Sequence, residues 1–181
     1  MGHKVGWLTL WAGIAGGADI ILIPEIPYNI DYVISAIKER ERKGKKFTIL
    51  AVAEGAISQD DAKLSKKDYR NKIKESNYPS ISYELANEIS QKLGKEVRVT
   101  VPGHTQRGGK PDSYDRVLAT RLGAKAGMSI LSKEYGFMMG YVNQKIVKIP
   151  LENVAGKLKK VPQDAQILDE VRTLGICLGD E

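Results

Sequence analysis

Two short β-branched runs, Asp19–Ile23 and Phe47–Ala53, stand on either side of an amphipathic helix, and that order leaves few folds open. Asp19-Ile20-Ile21-Leu22-Ile23 stops at Pro24 and has the pattern of a buried strand. Asn29 is a good N-cap. Behind it Ile30, Val33, Ile34 and Ile37 fall at i, i+3, i+4 and i+7, and the segment closes at Gly44 with Lys and Arg in its last turns. Strand, helix, strand at this spacing predicts parallel pairing through a right-handed crossover.

The alternation continues along the chain. Val5–Ala15 reads as a helix closed by Gly16-Gly17, with Trp7 and Trp11 on one face directed to the core. Gly55–Ser80 is polar and lysine-rich, an excursion with room for a short helix. Ser82 is placed to cap a helix through Leu93, stopped by Gly94. Glu96–Val101 alternates polar and apolar residues as a strand does. Asp112–Tyr135 reads as a long helix, Phe137–Val142 and Lys145–Ile149 as a hairpin, and Gln163–Leu174 as a last helix. The expected class is α/β, a parallel sheet flanked by helices.

Composition narrows the function classes. The chain has 181 residues, 42% hydrophobic and 28% charged, with a net charge of +6 that suits an anionic partner. Only 7% of residues are aromatic and no aromatic-rich basic motif occurs, which argues against nucleic acid. The single cysteine, Cys177, rules out an internal disulfide and a CxxC metal site, and reads as a small apolar residue. No apolar run approaches the ~18 residues of a membrane span, and no signal-peptide pattern is present, so a cytoplasmic protein away from membranes is expected.

Ligands of open α/β sheets lie beyond the carboxyl ends of strands. Two such ends carry chemistry here. Ala53-Glu54-Gly55 puts a carboxylate after an apolar run, with a glycine to turn the backbone. Gly103-His104-Thr105-Gln106-Arg107-Gly108-Gly109 offers an imidazole, an amide and a guanidinium on a glycine-flanked turn, with Arg98 upstream adding positive charge. The planar guanidinium fork suits phosphate oxygens. A carboxylate on one loop and a His/Arg pair on another is what a phosphorylated sugar requires. On spacing alone, Glu54 is equally a surface carboxylate and Gly108-Gly109 equally a tight turn. Ala12–Gly17 reads as a close-packed turn matching neither GxGxxG nor the Walker pattern, and Lys38–Lys46 as a solvated helix face.

Met1-Gly2-His3-Lys4-Val5-Gly6-Trp7, Ala15-Gly16-Gly17-Ala18-Asp19, Ile23-Pro24-Glu25, Ala53-Glu54-Gly55, Gly103–Gly109 and Asp115-Arg116 follow one another in the order seen in 6-phosphofructokinases. The chain resembles that family, ATP- or pyrophosphate-dependent, from residue 1 to about residue 150. The resemblance implies that Met1, Gly2 and His3 stand where the family's Met-Gly-Arg contacts the sugar phosphate, and that Glu54 binds the fructose hydroxyls. It implies phosphate-binding roles for His104 and Arg107, and for Arg98 an approach to the 6-phosphate of a neighbouring subunit in a homo-oligomer. In allosteric bacterial members, positions equivalent to Gly17, Ala18, Asp19, Lys43, Lys45 and Lys46 line a nucleotide effector site.

The departures shape the expectation. His3 replaces the usual arginine, and Gly55–Ser80 is longer than in the short allosteric enzymes. The family's glycine-rich donor loop and Thr-x-Asp motif, which holds the catalytic aspartate, are not in this sequence, so it supplies no catalytic residue and no metal ligand. The expected division is 1–107 as the fructose 6-phosphate-binding α/β domain, and 108–181 as a C-terminal segment that in the family packs back on the donor domain. The implied reaction is the glycolytic phosphorylation of fructose 6-phosphate to fructose 1,6-bisphosphate with ATP or pyrophosphate and Mg2+. The 181-residue chain is expected to be a fragment that binds acceptor only and is inactive alone, and exposed sheet edges are expected to promote self-association. The alternative reading is a non-catalytic sugar-phosphate or nucleotide-binding regulatory module.

Overall fold

Asn29 caps its helix as the sequence predicts: its Oδ1 accepts from Asp31 N at 2.8 Å. The computed structural model describes all 181 residues. The elements in order are α1 (Trp7–Ala15), β1 (Ile20–Leu22), α2 (Ile30–Arg42), β2 (Leu50–Val52), α3 (Lys66–Glu75) and α4 (Ile81–Leu93), followed by α5 (Ser113–Leu131), β3 (Phe137–Val142), β4 (Lys145–Pro150) and α6 (Gln166–Thr173). The chain forms two compact units, Met1–Val101 with Lys159–Glu181, and Pro102–Leu158. The sequence reading divides the chain after Arg107 and assigns everything beyond to the second part. In the structure residues 159–181 belong to the first unit, because Val161, Leu168, Val171 and Leu178 are buried in its core.

In the first unit β1 and β2 pair in parallel, with Ile20 opposite Leu50 and Leu22 opposite Val52. Cys177 adds a parallel bridge on the far side of β1: Ile21 N donates to Cys177 O at 2.9 Å, and Cys177 N to Asp19 O at 3.0 Å. The two-residue period of the strands divides the core. Ile21 and Ile23 face one cluster with Leu10 of α1 and Leu168 and Val171 of α6. Ile20 and Leu22 face the other, with Val33, Ile34 and Ile37 of α2 and Leu85 and Ile89 of α4. The sheet is thus covered by helices on both faces, as expected. Helix α1 lies close to it because position 13 is glycine; a Cβ there would sit 2.7 Å from Ile21 Cδ1.

Several expectations are corrected. Glu96–Val101 joins no sheet, because alternation matches the two faces of a strand without supplying a partner. The Phe47–Ala53 run pairs only over Leu50–Val52. Helix α4 starts after Ser80 rather than Ser82 and ends at Gly94, whose φ of 64° is left-handed. Helix α5 stops at Leu131, four residues before Tyr135. Lys133 turns left-handed (φ 55°), and Glu134 N donates back to Ser129 O, closing the helix end. Trp11 is 54% exposed and stacks on Trp7 instead of entering the core.

The second unit holds α5 and the antiparallel β3–β4 hairpin, with Phe137 opposite Pro150 and Val142 opposite Lys145. All the buried apolar side chains belong to the first unit. In the second, Tyr114, Val117, Met128, Ile130 and Leu131 of α5 are exposed.

Candidate functional site

Residues 1–6 fold over the carboxyl ends of β1 and β2. Glu54 N donates to Met1 O at 2.9 Å and Gly55 N to Gly2 O at 3.1 Å. Position 55 has to be glycine for this: a Cβ there would lie 2.1 Å from His3 O and 2.5 Å from the His3 carbonyl carbon. The Glu54 side chain is 44% exposed. Its Oε2 lies 3.4 Å from the Met1 nitrogen and its Oε1 3.4 Å from His3 Nε2. Met1, Gly2, His3 and Glu54 therefore come together. They form a partly open cluster in which a carboxylate, an imidazole and backbone groups surround one strand end, a set that can accept from and donate to sugar hydroxyls.

Glu25 organises this loop, a role sequence reasoning did not assign. Gly6 N donates to both of its carboxylate oxygens at 3.0 Å, at the start of α1, and Val161 N donates to Oε1 at 3.0 Å. One carboxylate thus ties the entry of α1 to Val161, a residue 136 positions beyond Glu25 itself. It sits where the helix dipole favours negative charge. The Pro24-Glu25 step directly after a strand was the local signal; the partner at Val161 had none.

Arg98 lies on the unpaired Glu96–Val101 run, 85% exposed, with its Nε 2.8 Å from Glu96 Oε1. His104 and Arg107 stand on the second unit, on a 3-10 turn over Gly103–Arg107, both exposed. Thr105 holds that turn, its Oγ1 donating to Pro102 O at 2.6 Å and its carbonyl accepting from Gly108 N at 3.1 Å. The turn presents imidazole and guanidinium to solvent without internal ion partners.

Of the six positions that the resemblance matches to an effector site, Asp19, Lys43 and Lys45 share a hollow of about 410 Å3 with Arg172 and Cys177. Ala18 is buried, Gly17 is not part of the hollow, and Lys46 lines a different trough. Asp19 is already engaged: Oδ1 meets Arg40 Nη1 at 2.8 Å and Oδ2 accepts from Ile49 N at 2.9 Å. The Cys177 thiol is half-buried, and burial pushes its pKa up.

The chain matches known proteins along its whole length. The Phosphofructokinase family model matches residues 1–130. The ATP-dependent 6-phosphofructokinase of Spirochaeta thermophila is 47% identical over 180 residues, covering 99% of this chain and 49% of its own length. ATP-dependent 6-phosphofructokinase 3 of Bacteroides thetaiotaomicron is 42% identical over 179 residues, 99% of this chain and 48% of that one. The chain thus spans about half the length of the curated relatives it matches. Among solved structures, Pichia pastoris phosphofructokinase in the T-state superposes with a TM-score of 0.64 at 33% identity, over 84% of this chain and 16% of that one. The pyrophosphate-dependent phosphofructokinase of Marinobacter aquaeolei has the same fold, with a TM-score of 0.72 at 22% identity, over 98% and 46%. The chain belongs to the phosphofructokinase family.

Proposed function

We propose that this chain is the acceptor-binding part of a 6-phosphofructokinase, which moves a phosphoryl group from ATP or pyrophosphate to fructose 6-phosphate in glycolysis. The observation that carries this reading is the docking of Met1–His3 onto Glu54 and Gly55 at the carboxyl end of β2. Glu54 accepts hydrogen bonds from the fructose hydroxyls, with Met1, Gly2 and His3 closing the same corner. His104 and Arg107 bind phosphate, and Arg98 serves a neighbouring subunit of a homo-oligomer in the cytoplasm. Phosphoryl transfer also requires an aligned donor, a base for the attacking hydroxyl and neutralised phosphate charge. Magnesium with the nucleotide or pyrophosphate supplies that neutralisation. No group of three or more His, Cys, Asp or Glu side chains in this chain is clustered, and no step here runs through a metal. The contribution of this chain is to orient the acceptor.

The hollow shared by Asp19, Lys43 and Lys45 favours a second reading, a nucleotide-binding regulatory module. Calorimetric titration with fructose 6-phosphate, fructose 1,6-bisphosphate and ADP separates the two. Sugar-phosphate binding that Arg107→Ala weakens supports acceptor binding. Binding of ADP alone, unchanged by Arg107→Ala, supports the module and overturns the first reading.

A further inference from the structure

The loop that carries Met1–His3 is held at both ends. At its start Met1 O and Gly2 O accept from Glu54 N and Gly55 N. At its end Gly6 is the N-cap of α1 and has no side chain to cap it, so the helix entry is served from outside, by the Glu25 carboxylate just past β1. The fit there is close: a Cβ at position 6 would lie 2.5 Å from Ile23 Cβ and 2.7 Å from Glu25 Oε2. Glu25 is fixed in turn by the far end of the chain. Val161, 2% exposed, donates its N–H to Oε1, and Gln163 Nε2 donates to the Glu25 carbonyl at 3.4 Å. Nearby, Lys159 O accepts from Trp7 Nε1 at 3.1 Å, in the first turn of α1. Residues 159–163 thus form a strap across the entry of α1.

We propose that Glu25 and the strap over residues 159–163 are positioning elements of the acceptor site, which set sugar-phosphate affinity by fixing where Met1–His3 stand beside Glu54. The inference deepens the acceptor-binding reading and rests on it. Two observations select this role. None of residues 1–5 is buried, so hydrogen bonds rather than apolar packing seat the loop. Only His3, Lys4 and Val5 lie between the anchor at Gly2 and the anchor at Gly6, so the backbone carries a displacement at Gly6 directly to His3. The Glu25 carboxylate is committed to two backbone N–H groups, those of Gly6 and Val161, and acts on the site only through the loop. A charged acceptor makes such bonds roughly twice as strong as neutral ones. Without it, the amide of a buried residue, Val161, loses its partner. A misplacement of about 1 Å in a binding group can cost on the order of a hundredfold in function.

The test compares the chain with three variants, each checked by circular dichroism to be folded. Glu25→Leu keeps the bulk and removes both acceptor oxygens, Glu25→Gln keeps one acceptor oxygen, and Trp7→Phe keeps a ring and removes the bond to Lys159. Amide hydrogen exchange at Glu54 and Gly55, whose N–H groups bond the loop, reads its seating without any ligand. Calorimetry reads the affinity for fructose 6-phosphate. In Glu25→Leu, exchange at Glu54 and Gly55 should quicken roughly tenfold more than at Ile34 and Ile37 of α2, and affinity should fall at least about tenfold. Trp7→Phe should move both readings the same way by less, and Glu25→Gln should bring both most of the way back to those of the unaltered chain. A merely stabilising role would quicken all four amides alike and leave the affinity of folded molecules unchanged; either result overturns the proposal. If Glu25→Leu does not fold, Trp7→Phe decides, and unchanged exchange at Glu54 and Gly55 there overturns it. Absence of fructose 6-phosphate binding by the unaltered chain overturns the acceptor-binding reading, while exchange at Glu54 and Gly55 still reports the positioning of the loop by itself.

Discussion

Gly55→Ala is the sharpest perturbation of the loop that closes the candidate site. The backbone at position 55 does not need a positive φ, so alanine meets no intrinsic backbone strain. The damage comes from contact alone. The new Cβ would stand 2.1 Å from His3 O and 2.9 Å from Gly2 O, both backbone atoms that cannot rotate away. Either the Met1–His3 loop lifts off or β2 shifts. Lifting the loop forfeits the Glu54–Met1 and Gly55–Gly2 hydrogen bonds, each contributing about 1 kcal/mol, while forcing the overlap costs about 1–3 kcal/mol. The expected loss is therefore about 2 kcal/mol, because the chain takes the cheaper route. Urea unfolding followed by fluorescence of the stacked Trp7–Trp11 pair on α1 measures it. Fructose 6-phosphate affinity should fall by at least about tenfold, since the loop carries Met1, Gly2 and His3 away from Glu54. A variant with unchanged stability and unchanged affinity would refute the claim that this docking builds the site.

Three further outcomes follow from the same geometry. Glu25→Ala should destabilise the first unit by about 2–4 kcal/mol in chemical denaturation, because Gly6 N and Val161 N lose a charged acceptor together; Glu25→Gln, which keeps an acceptor oxygen, should cost less. Lys72 donates to Asp61 at 2.6 Å, and that hydrogen bond, followed by the attraction of Asp61, raises the lysine pKa. A raised lysine pKa gives stability that is fully present below the unfolded value of about 10.4 and lost as pH rises through the folded one. Alkaline loosening of α3 should accordingly begin only above the ordinary lysine range, and Lys72→Met should abolish that pH dependence in hydrogen exchange. Limited proteolysis should cut within 102–158 first and spare β1 and β2, because the second unit buries no apolar side chain of its own.

The sequence made the local rules visible and left the distant partners hidden. Asn29, the Ile30–Ile37 stripe and the Asp19–Ile23 run specify a capped helix and a buried strand from neighbouring residues alone, and both formed. Glu54 was legible because a carboxylate after an apolar strand and before a glycine is a local pattern. Glu96–Val101 shows the limit: alternation matches the faces of a strand, yet pairing depends on what lies beside it. Glu25 shows it again, since its importance comes from Val161, far along the chain. Trp7 and Trp11 share a helical face as their spacing implies, but only Trp7 packs against the core, while Trp11 stacks on it from outside. Asp19 was legible as one of a charged group, while its commitment to Arg40 and the Ile49 amide was not.

The central proposal is that Glu54, with Met1–His3 docked beside it, binds the sugar hydroxyls and that Arg107 binds phosphate. Calorimetric titration of fructose 6-phosphate into the chain, and into Glu54→Gln and Arg107→Ala, tests it most directly. The expected result is saturable binding, weakened by at least about tenfold in each variant. Absence of binding, or binding that neither substitution changes, would contradict it.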